Sequence, residues 1–238
     1  MRLQKNLTEE RLAARIAFAD ALGQDFRATF PHRNVQAHTD MYDSAITMMK
    51  SRDLNAFNLT EESAETRAAY GLKDAFGQGC LLARRLVQRG VRFVEVSLGG
   101  WDSHVANFTI MPELCNVLDR ALSTLIADLH ARGLLKETLV VLATEFGRTP
   151  DINTNLGRDH WPKAFSGLMA GGGVKGGFVH GKTDKEGREV DEGEVTIPDF
   201  NATIAYALGL PLDKVVLSPS QRPFTVADKG KPVTELFT

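Results

Sequence analysis

Three short stretches of this sequence gather acidic, histidine and arginine residues at close spacing. They are Gly100-Trp101-Asp102-Ser103-His104, Glu145-Phe146-Gly147-Arg148-Thr149-Pro150 and Gly157-Arg158-Asp159-His160-Trp161-Pro162. Two carboxylates about 4 Å apart repel by on the order of 4 kcal/mol at an effective dielectric constant near 20. A divalent cation removes that penalty and takes imidazole as a further ligand. The pattern therefore predicts a metal site.

The predicted metal ligands are the carboxylates and imidazoles of these stretches: Asp102, His104, Glu145, Asp159 and His160. Carboxylate and imidazole together favour a divalent metal such as zinc or manganese over a soft metal. Arg148 and Arg158 flank the same loops, and a guanidinium group binds a phosphate or sulfate with two parallel hydrogen bonds. We therefore predict these two arginines as catalytic residues.

Structural roles remain open for most of these residues. Asp102 can cap the turn that follows it, and His104 can be an ordinary surface histidine. Asp159 and His160 can lock their own loop by hydrogen bonding. His180 is the weakest further candidate.

Glu145 has one structural alternative, a salt bridge to Arg148 or Arg158. That pairing would also occupy the two arginines. Against it, an acid directly after an apolar strand is expected to be partly buried, which favours a ligand role.

The elements predicted to position these loops follow a strand–helix–strand order. Residues 91–98 are rich in β-branched and aromatic side chains and predict a strand. A further strand is predicted at residues 166–170, before three consecutive glycines. Residues 112–132 carry apolar side chains at three- and four-residue spacing and predict a helix. The apolar run at 138–144 is typical of a strand covered on both faces. Short connections between these elements indicate a right-handed parallel crossover, with ligands at the carboxyl ends of the strands.

We therefore predict an α/β fold with a mostly parallel sheet, helices on both of its faces and a helical N-terminal segment. Residues 1–75 are the predicted helical cap or scaffold. Residues 76–238 are the predicted α/β core, as the C-terminal part of a longer protein. The 238 residues, 43% hydrophobic and 24% charged, are ordinary for a globular protein.

Composition excludes several classes of partner. The 28 basic and 30 acidic residues give a net charge of −2 without a basic run, so we expect no nucleic-acid partner. There is no apolar stretch of about 18 residues, so we expect no membrane span.

The N-terminus lacks an apolar signal core, which predicts a cytoplasmic protein unless the export signal lies outside this chain. Cys80 and Cys115 are predicted to be buried free thiols.

The three stretches resemble the bacterial family catalogued as domain of unknown function 1501. Later pieces fit the same family: Gly171-Gly172-Gly173, Gly181-Lys182-Thr183-Asp184, Ala202-Thr203-Ile204 and Leu208-Gly209-Leu210. The family is grouped with the alkaline phosphatase and sulfatase superfamily, and its members commonly carry a twin-arginine export signal. The resemblance thus implies an alkaline-phosphatase-like core and an exported, periplasmic protein.

The resemblance also implies roles for individual residues. Asp102 and His104 correspond to an Asp/His ligand pair. Glu145 stands where the superfamily's Asp-His-Gly motif places its aspartate, and His160 takes the role of the last histidine.

Two departures from the superfamily pattern bear on the reaction. Phe146 stands where the second metal's histidine is usual, so the resemblance does not imply a full two-metal site. The early strand that carries the nucleophile is missing from this chain. Ser103 lies within the ligand motif and is not predicted to replace that nucleophile.

The leading hypothesis is a metal-dependent hydrolase of phosphate or sulfate esters, of which this chain supplies the metal-ligand half. Its partner is then a small-molecule ester, with a homo-oligomer as a possible assembly. The alternative is a catalytically inactive binding or scaffold module. A phosphomutase-like transferase shares the same site and differs only in the acceptor.

Overall fold

The computed structural model describes residues 7–238, which divide after Glu61 into two compact units. The first unit is helical, with α1 (Glu9–Thr29), α2 (Arg33–Lys50) and 3-10 turns at Arg52–Phe57 and Leu59–Glu61. Thr8 caps α1, because its hydroxyl accepts a hydrogen bond from the Arg11 N–H at 3.2 Å. Neither long helix buries a residue completely.

Four helices of the second unit organise its packing. They are α3 (Ala64–Ala69), α4 (Ala75–Gln88), α5 (Asn107–Ala131) and α6 (Ile197–Ala207), with 3-10 turns at Leu135–Glu137 and Thr234–Leu236. Asp74 caps α4, and α6 opens with a capping box between Thr196 and Asp199. α5 ends before Gly133, whose φ of 72° suits glycine at a helix terminus. Among residues 7–238, no helix is long and apolar enough to cross a membrane, as the sequence predicted.

The strands of the second unit are two or three residues long and pair only in antiparallel fashion. They are β1 (Val140–Leu142) with β4 (Leu168–Ala170), β2 (Gly147–Arg148) with β3 (His160–Trp161), β5 (Lys182–Thr183) with β6 (Val190–Glu192), and β7 (Val216–Leu217) with β8 (Pro223–Phe224). Helix accounts for 47% and strand for 9%. The predicted α/β fold with a mostly parallel sheet and helices on both faces is therefore wrong: the described residues contain no parallel sheet.

The predicted strand at 91–98 shows why the fold prediction failed. Val94, Val96 and Leu98 are half-buried while the residues between them are exposed, so the side chains alternate as in a strand. Val96 packs against α4 at Gly79. However, the backbone of residues 92–100 forms no hydrogen bond with any residue of the described chain. The local pattern specifies an alternating segment, but a sheet also needs a neighbouring strand, and residues 7–238 provide none for this segment.

A cluster of charged side chains lies between α3, α4 and α5. We call it the Asp128 cluster; it comprises Glu62, Tyr70, Arg84, Asp128 and Arg132. Arg84 is only 1% exposed, and its guanidinium lies 2.6 Å from Glu62 Oε2 and 2.9 Å from Asp128 Oδ2. Tyr70 donates a hydrogen bond to Asp128 Oδ2 at 3.1 Å, and Arg132 Nε lies 2.6 Å from Asp128 Oδ1. Opposite charges thus compensate one another inside the helical part of this unit.

Burial and charge act in opposite directions on the ionisable groups of the Asp128 cluster. Burial raises the pKa of Glu62, but hydrogen bonds from Arg84 and Arg85 outweigh it and lower the pKa below its usual value. Burial and the neighbouring Asp128 carboxylate raise the pKa of Tyr70. Glu62 is therefore ionised, and Tyr70 protonated, at neutral pH.

Candidate metal centre

Asp102, His104 and His160 form the candidate metal centre. One ligand atom from each residue lies within 4.8 Å of the others. With Arg148, they make up what we call the Asp102 cluster. Three of the five predicted ligands are thus brought together in an arrangement compatible with a divalent metal.

A single oxygen atom, Asp102 Oδ1, is the centre of this cluster. It lies 2.9 Å from His104 Nδ1, 3.0 Å from His160 Nε2 and 2.8 Å from Arg148 Nη1. Hydrogen bonds from His160 and Arg148, together with the charge of His104, lower the pKa of the Asp102 carboxyl. Asp102 therefore stays ionised at neutral pH, as a metal ligand must.

Two of the ligand-atom separations are close to those expected around a small divalent ion. Zinc–ligand bonds of about 2.0–2.1 Å place neighbouring ligand atoms of a tetrahedral site about 3.3 Å apart. The observed distances of 2.9 and 3.0 Å from Asp102 Oδ1 are within a few tenths of an ångström of that value. Two imidazoles and one carboxylate are also a donor set that zinc, manganese and iron accept.

The candidate centre is open to solvent. The side chains of Asp102, His104 and His160 are 68%, 42% and 49% exposed. The His160 ring lies between two aromatic neighbours, with ring centroids 4.7 Å from His104 and 4.4 Å from Phe146. An incoming ligand therefore reaches the cluster directly, while the rings restrict the orientation of His160.

The β2–β3 hairpin positions one side of the cluster. Its register places Arg148 opposite His160, so the two side chains that donate to Asp102 come from one cross-strand pair. The connecting loop then approaches the Asp102 loop closely. A Cβ atom at Gly157 would lie 2.0 Å from the His104 carbonyl carbon, so only glycine allows this approach.

The other predicted site residues lie at the edge of the Asp102 cluster or outside it. Asp159 Oδ1 is 3.9 Å from His104 Nε2, so it borders the cluster. Glu145 is exposed, lies outside the group of three ligands, and has no hydrogen bond or ion pair to a described residue. Arg158 Nη1 donates to the carbonyl oxygens of Thr149 and Pro150, both at 2.6 Å, and so holds its own loop.

Two further predicted residues are accounted for by local contacts. Ser103 is 1% exposed, and its hydroxyl donates to Asn107 Oδ1 at 2.7 Å. His180 Nδ1 lies 2.5 Å from Glu235 Oε1, which pairs it with the C-terminal segment.

Cys80 is buried as predicted, but Cys115 is exposed, so the prediction of two buried thiols is wrong for Cys115.

Sequence reasoning missed Asn153, whose side chain joins the two loops of the site. It donates to the His104 carbonyl oxygen and to Asp159 Oδ1, each at 3.0 Å. Its amide carries no charge and is not part of the three motifs, so no signal in the sequence singled it out.

Comparison with curated proteins and with solved structures finds no significant match for this chain. The family comparison does find one, and it agrees with the resemblance of the three motifs. Residues 1–237 match the family described as "Protein of unknown function (DUF1501)", and the chain therefore belongs to that family.

Proposed function

We propose that this chain binds a divalent cation through Asp102, His104 and His160 and uses it to hydrolyse a phosphate or sulfate ester. The observation that carries the proposal is the convergence of three ligand atoms within 4.8 Å. The proposal includes membership of the alkaline phosphatase and sulfatase superfamily, which the family's motifs imply.

Arg148 is the residue we assign to anion binding. One of its nitrogens is engaged with Asp102, and its side chain is 22% exposed. Its other guanidinium N–H groups have no hydrogen-bond partner among residues 7–238, and none of them is buried. Free guanidinium donors beside a cation site suit the tetrahedral oxygens of a phosphate or sulfate.

The chain's own residues would do the following work. His104 and His160 would each offer a ring nitrogen to the cation, and Asp102 would contribute a negative charge. A bound divalent ion supplies Lewis-acid polarisation of the ester oxygen. Because the Ser103 hydroxyl is buried and bonded to Asn107, we assign the attack to a water molecule from the open face of the site.

Metal binding is tested first. Wild-type protein is titrated calorimetrically with zinc and with manganese, and its metal content is measured after dialysis. We expect one ion per chain, and a loss of affinity beyond roughly 100-fold in Asp102→Asn, His104→Gln and His160→Gln, because outer-shell changes alone cost roughly 10- to 100-fold. Asp213→Asn and His130→Gln are matched controls at exposed positions and should bind like wild type. Equal binding by ligand variants and controls would exclude this site.

Hydrolysis is tested second, with aryl phosphates and aryl sulfates in the presence of zinc or manganese. We expect turnover that disappears in His160→Gln, and a raised KM in Arg148→Gln because that variant loses an anion contact. Asp213→Asn should retain full turnover. Stoichiometric metal binding without turnover of either ester would disprove hydrolysis.

The alternative function is a binding module without catalysis. It is favoured by the buried Ser103 hydroxyl and by the position of Glu145 outside the ligand group. On this alternative the protein binds metal and inorganic phosphate or sulfate, and Arg148→Gln weakens anion binding while ester turnover is absent throughout. Measuring ester turnover is therefore enough to distinguish the two functions.

A further inference from the structure

The side-chain amide of Asn153 uses its full hydrogen-bonding capacity within the candidate metal centre. Its two N–H groups donate to the His104 carbonyl oxygen and to Asp159 Oδ1, each at 3.0 Å. Its oxygen accepts from the backbone N–H groups of Asn155 and Gly157, each at 2.9 Å. An amide has two donors and two acceptor lone pairs, so every one is engaged.

The two halves of this amide act on different parts of the site. The oxygen closes the turn at residues 153–157. The nitrogen reaches across to the other loop, where it holds the backbone of His104, and back to Asp159, the residue directly before His160. One side chain therefore connects the segments that carry the two imidazoles.

We propose that Asn153 is the positioning residue that fixes the separation of His104 and His160 for metal binding. The inference rests on the proposed metal site. Asn153 belongs to neither the ligand group nor the anion contact, so its effect is exerted through the ligand loops. Residues that orient metal ligands typically change metal affinity by roughly 10- to 100-fold when they are replaced.

Asn153→Asp removes the hydrogen bonds donated by the amide nitrogen and keeps those accepted by the amide oxygen. The substituted side chain is nearly isosteric and still accepts the Asn155 and Gly157 N–H groups, but it presents an oxygen to the His104 carbonyl and the Asp159 carboxylate. We expect zinc affinity to fall roughly 10- to 100-fold by calorimetry. Asn155→Asp is the matched control, because it adds the same charge to the same turn. The Asn155 side chain is exposed and makes no hydrogen bond to a described residue, so this variant should bind zinc like wild type.

A rescue variant distinguishes positioning from a general effect of charge. In the double variant of Asn153→Asp with Asp159→Asn, the two side chains exchange roles and the hydrogen bond between residues 153 and 159 can form again, while the bond to the His104 carbonyl oxygen stays lost. We expect the double variant to bind zinc more tightly than Asn153→Asp and less tightly than Asp159→Asn alone. If Asn153→Asp does not fold, the double variant compared with Asp159→Asn carries the test.

The outcomes also separate this inference from the proposed function. The imidazole nitrogen signals of His104 and His160, recorded by NMR without metal, should shift in Asn153→Asp and stay unchanged in Asn155→Asp. If wild type binds no zinc but these signals shift, the metal function fails and the positioning role stands. Unchanged signals, or equal loss of affinity in Asn153→Asp and Asn155→Asp, would overturn the positioning role.

Discussion

Two aspartates of the second unit each stand at the centre of a charged cluster, yet their surroundings differ. Asp128 has three donor groups within 3.1 Å, from Tyr70, Arg84 and Arg132. Asp102 has three nitrogen atoms within 3.0 Å, from two histidines and an arginine. The Asp128 side chain is 17% exposed and that of Asp102 is 68% exposed.

The number of contacts does not distinguish a structural cluster from a candidate site, whereas burial and donor chemistry do. Arginine keeps its proton, so the Asp128 cluster cannot exchange its cations for a metal. An imidazole nitrogen serves as a donor in one state and as a metal ligand in another. The exposed Asp102 cluster can therefore accept a metal, and the Asp128 cluster stabilises helix packing.

The largest expected effect comes from breaking the Asp128 cluster. Asp128→Asn leaves the buried Arg84 guanidinium without full compensation, and removing one partner of a buried ion pair costs about 3–5 kcal/mol. We expect the urea unfolding midpoint to fall accordingly. Asp102→Asn, measured without metal, should leave that midpoint at the wild-type value. Similar losses in the two variants would contradict the division between a structural and an exposed cluster.

A smaller loss is expected from Gly157→Ala, which disturbs the Asp102 cluster through its backbone. The added methyl group would meet the His104 carbonyl at 2.0 Å, and overpacking of this kind costs about 1–3 kcal/mol. Gly99→Ala is the control, because a Cβ atom there meets no atom within 4 Å. Urea unfolding and zinc titration should both show a loss in Gly157→Ala and none in Gly99→Ala.

Part of the acid dependence of stability should originate in the Asp128 cluster. The pKa of Glu62 is lowered from 4.5 in the folded protein, so its contribution is complete above that value and is lost as the pH falls through the lowered pKa. The difference in unfolding free energy between wild type and Glu62→Gln should therefore shrink below pH 4.5. Urea unfolding from about pH 3 to pH 7 measures it; a difference independent of pH would contradict this origin.

The smallest effect is a change in thiol reactivity on α4. Burial raises the pKa of Cys80 to about 11, whereas Cys115 is exposed. In a Cys115→Ser background, Cys80 should react slowly with a disulfide reagent, and faster when Asp128→Asn loosens the cluster. Asp102→Asn should not change the rate. A rate that rises in both variants would indicate that the two clusters are coupled.

Local structure was predicted from the sequence better than the pairing of one element with another. The helix predicted over residues 112–132 is observed as α5, because its apolar spacing depends on residues within one or two turns. The half-buried strand β1 was also located, but it is three residues long and pairs antiparallel with β4. Strand pairing depends on distant residues, which no local pattern reveals.

The candidate site was also predicted in part: the ligands within the motifs were identified, but the contacts between loops were not. Asp102, His104 and His160 were recognisable because carboxylates and imidazoles are few and closely spaced in their motifs. Glu145 has the right chemistry at a strand end, but the predicted parallel sheet that would have aimed it at the others is not formed. Asn153 carries no charge, so only its hydrogen bonds in three dimensions reveal its position.

Among the described residues, the backbone of residues 92–100 has no hydrogen-bond partner, and this has a practical consequence for handling the protein. Proteases bind their substrates as extended chains, and this segment offers free amides and carbonyls next to Arg92, an exposed site for trypsin. A single cut there would leave α4 and α5 packed on each other. Limited digestion is thus expected to give two fragments that remain associated and separate only in denaturant.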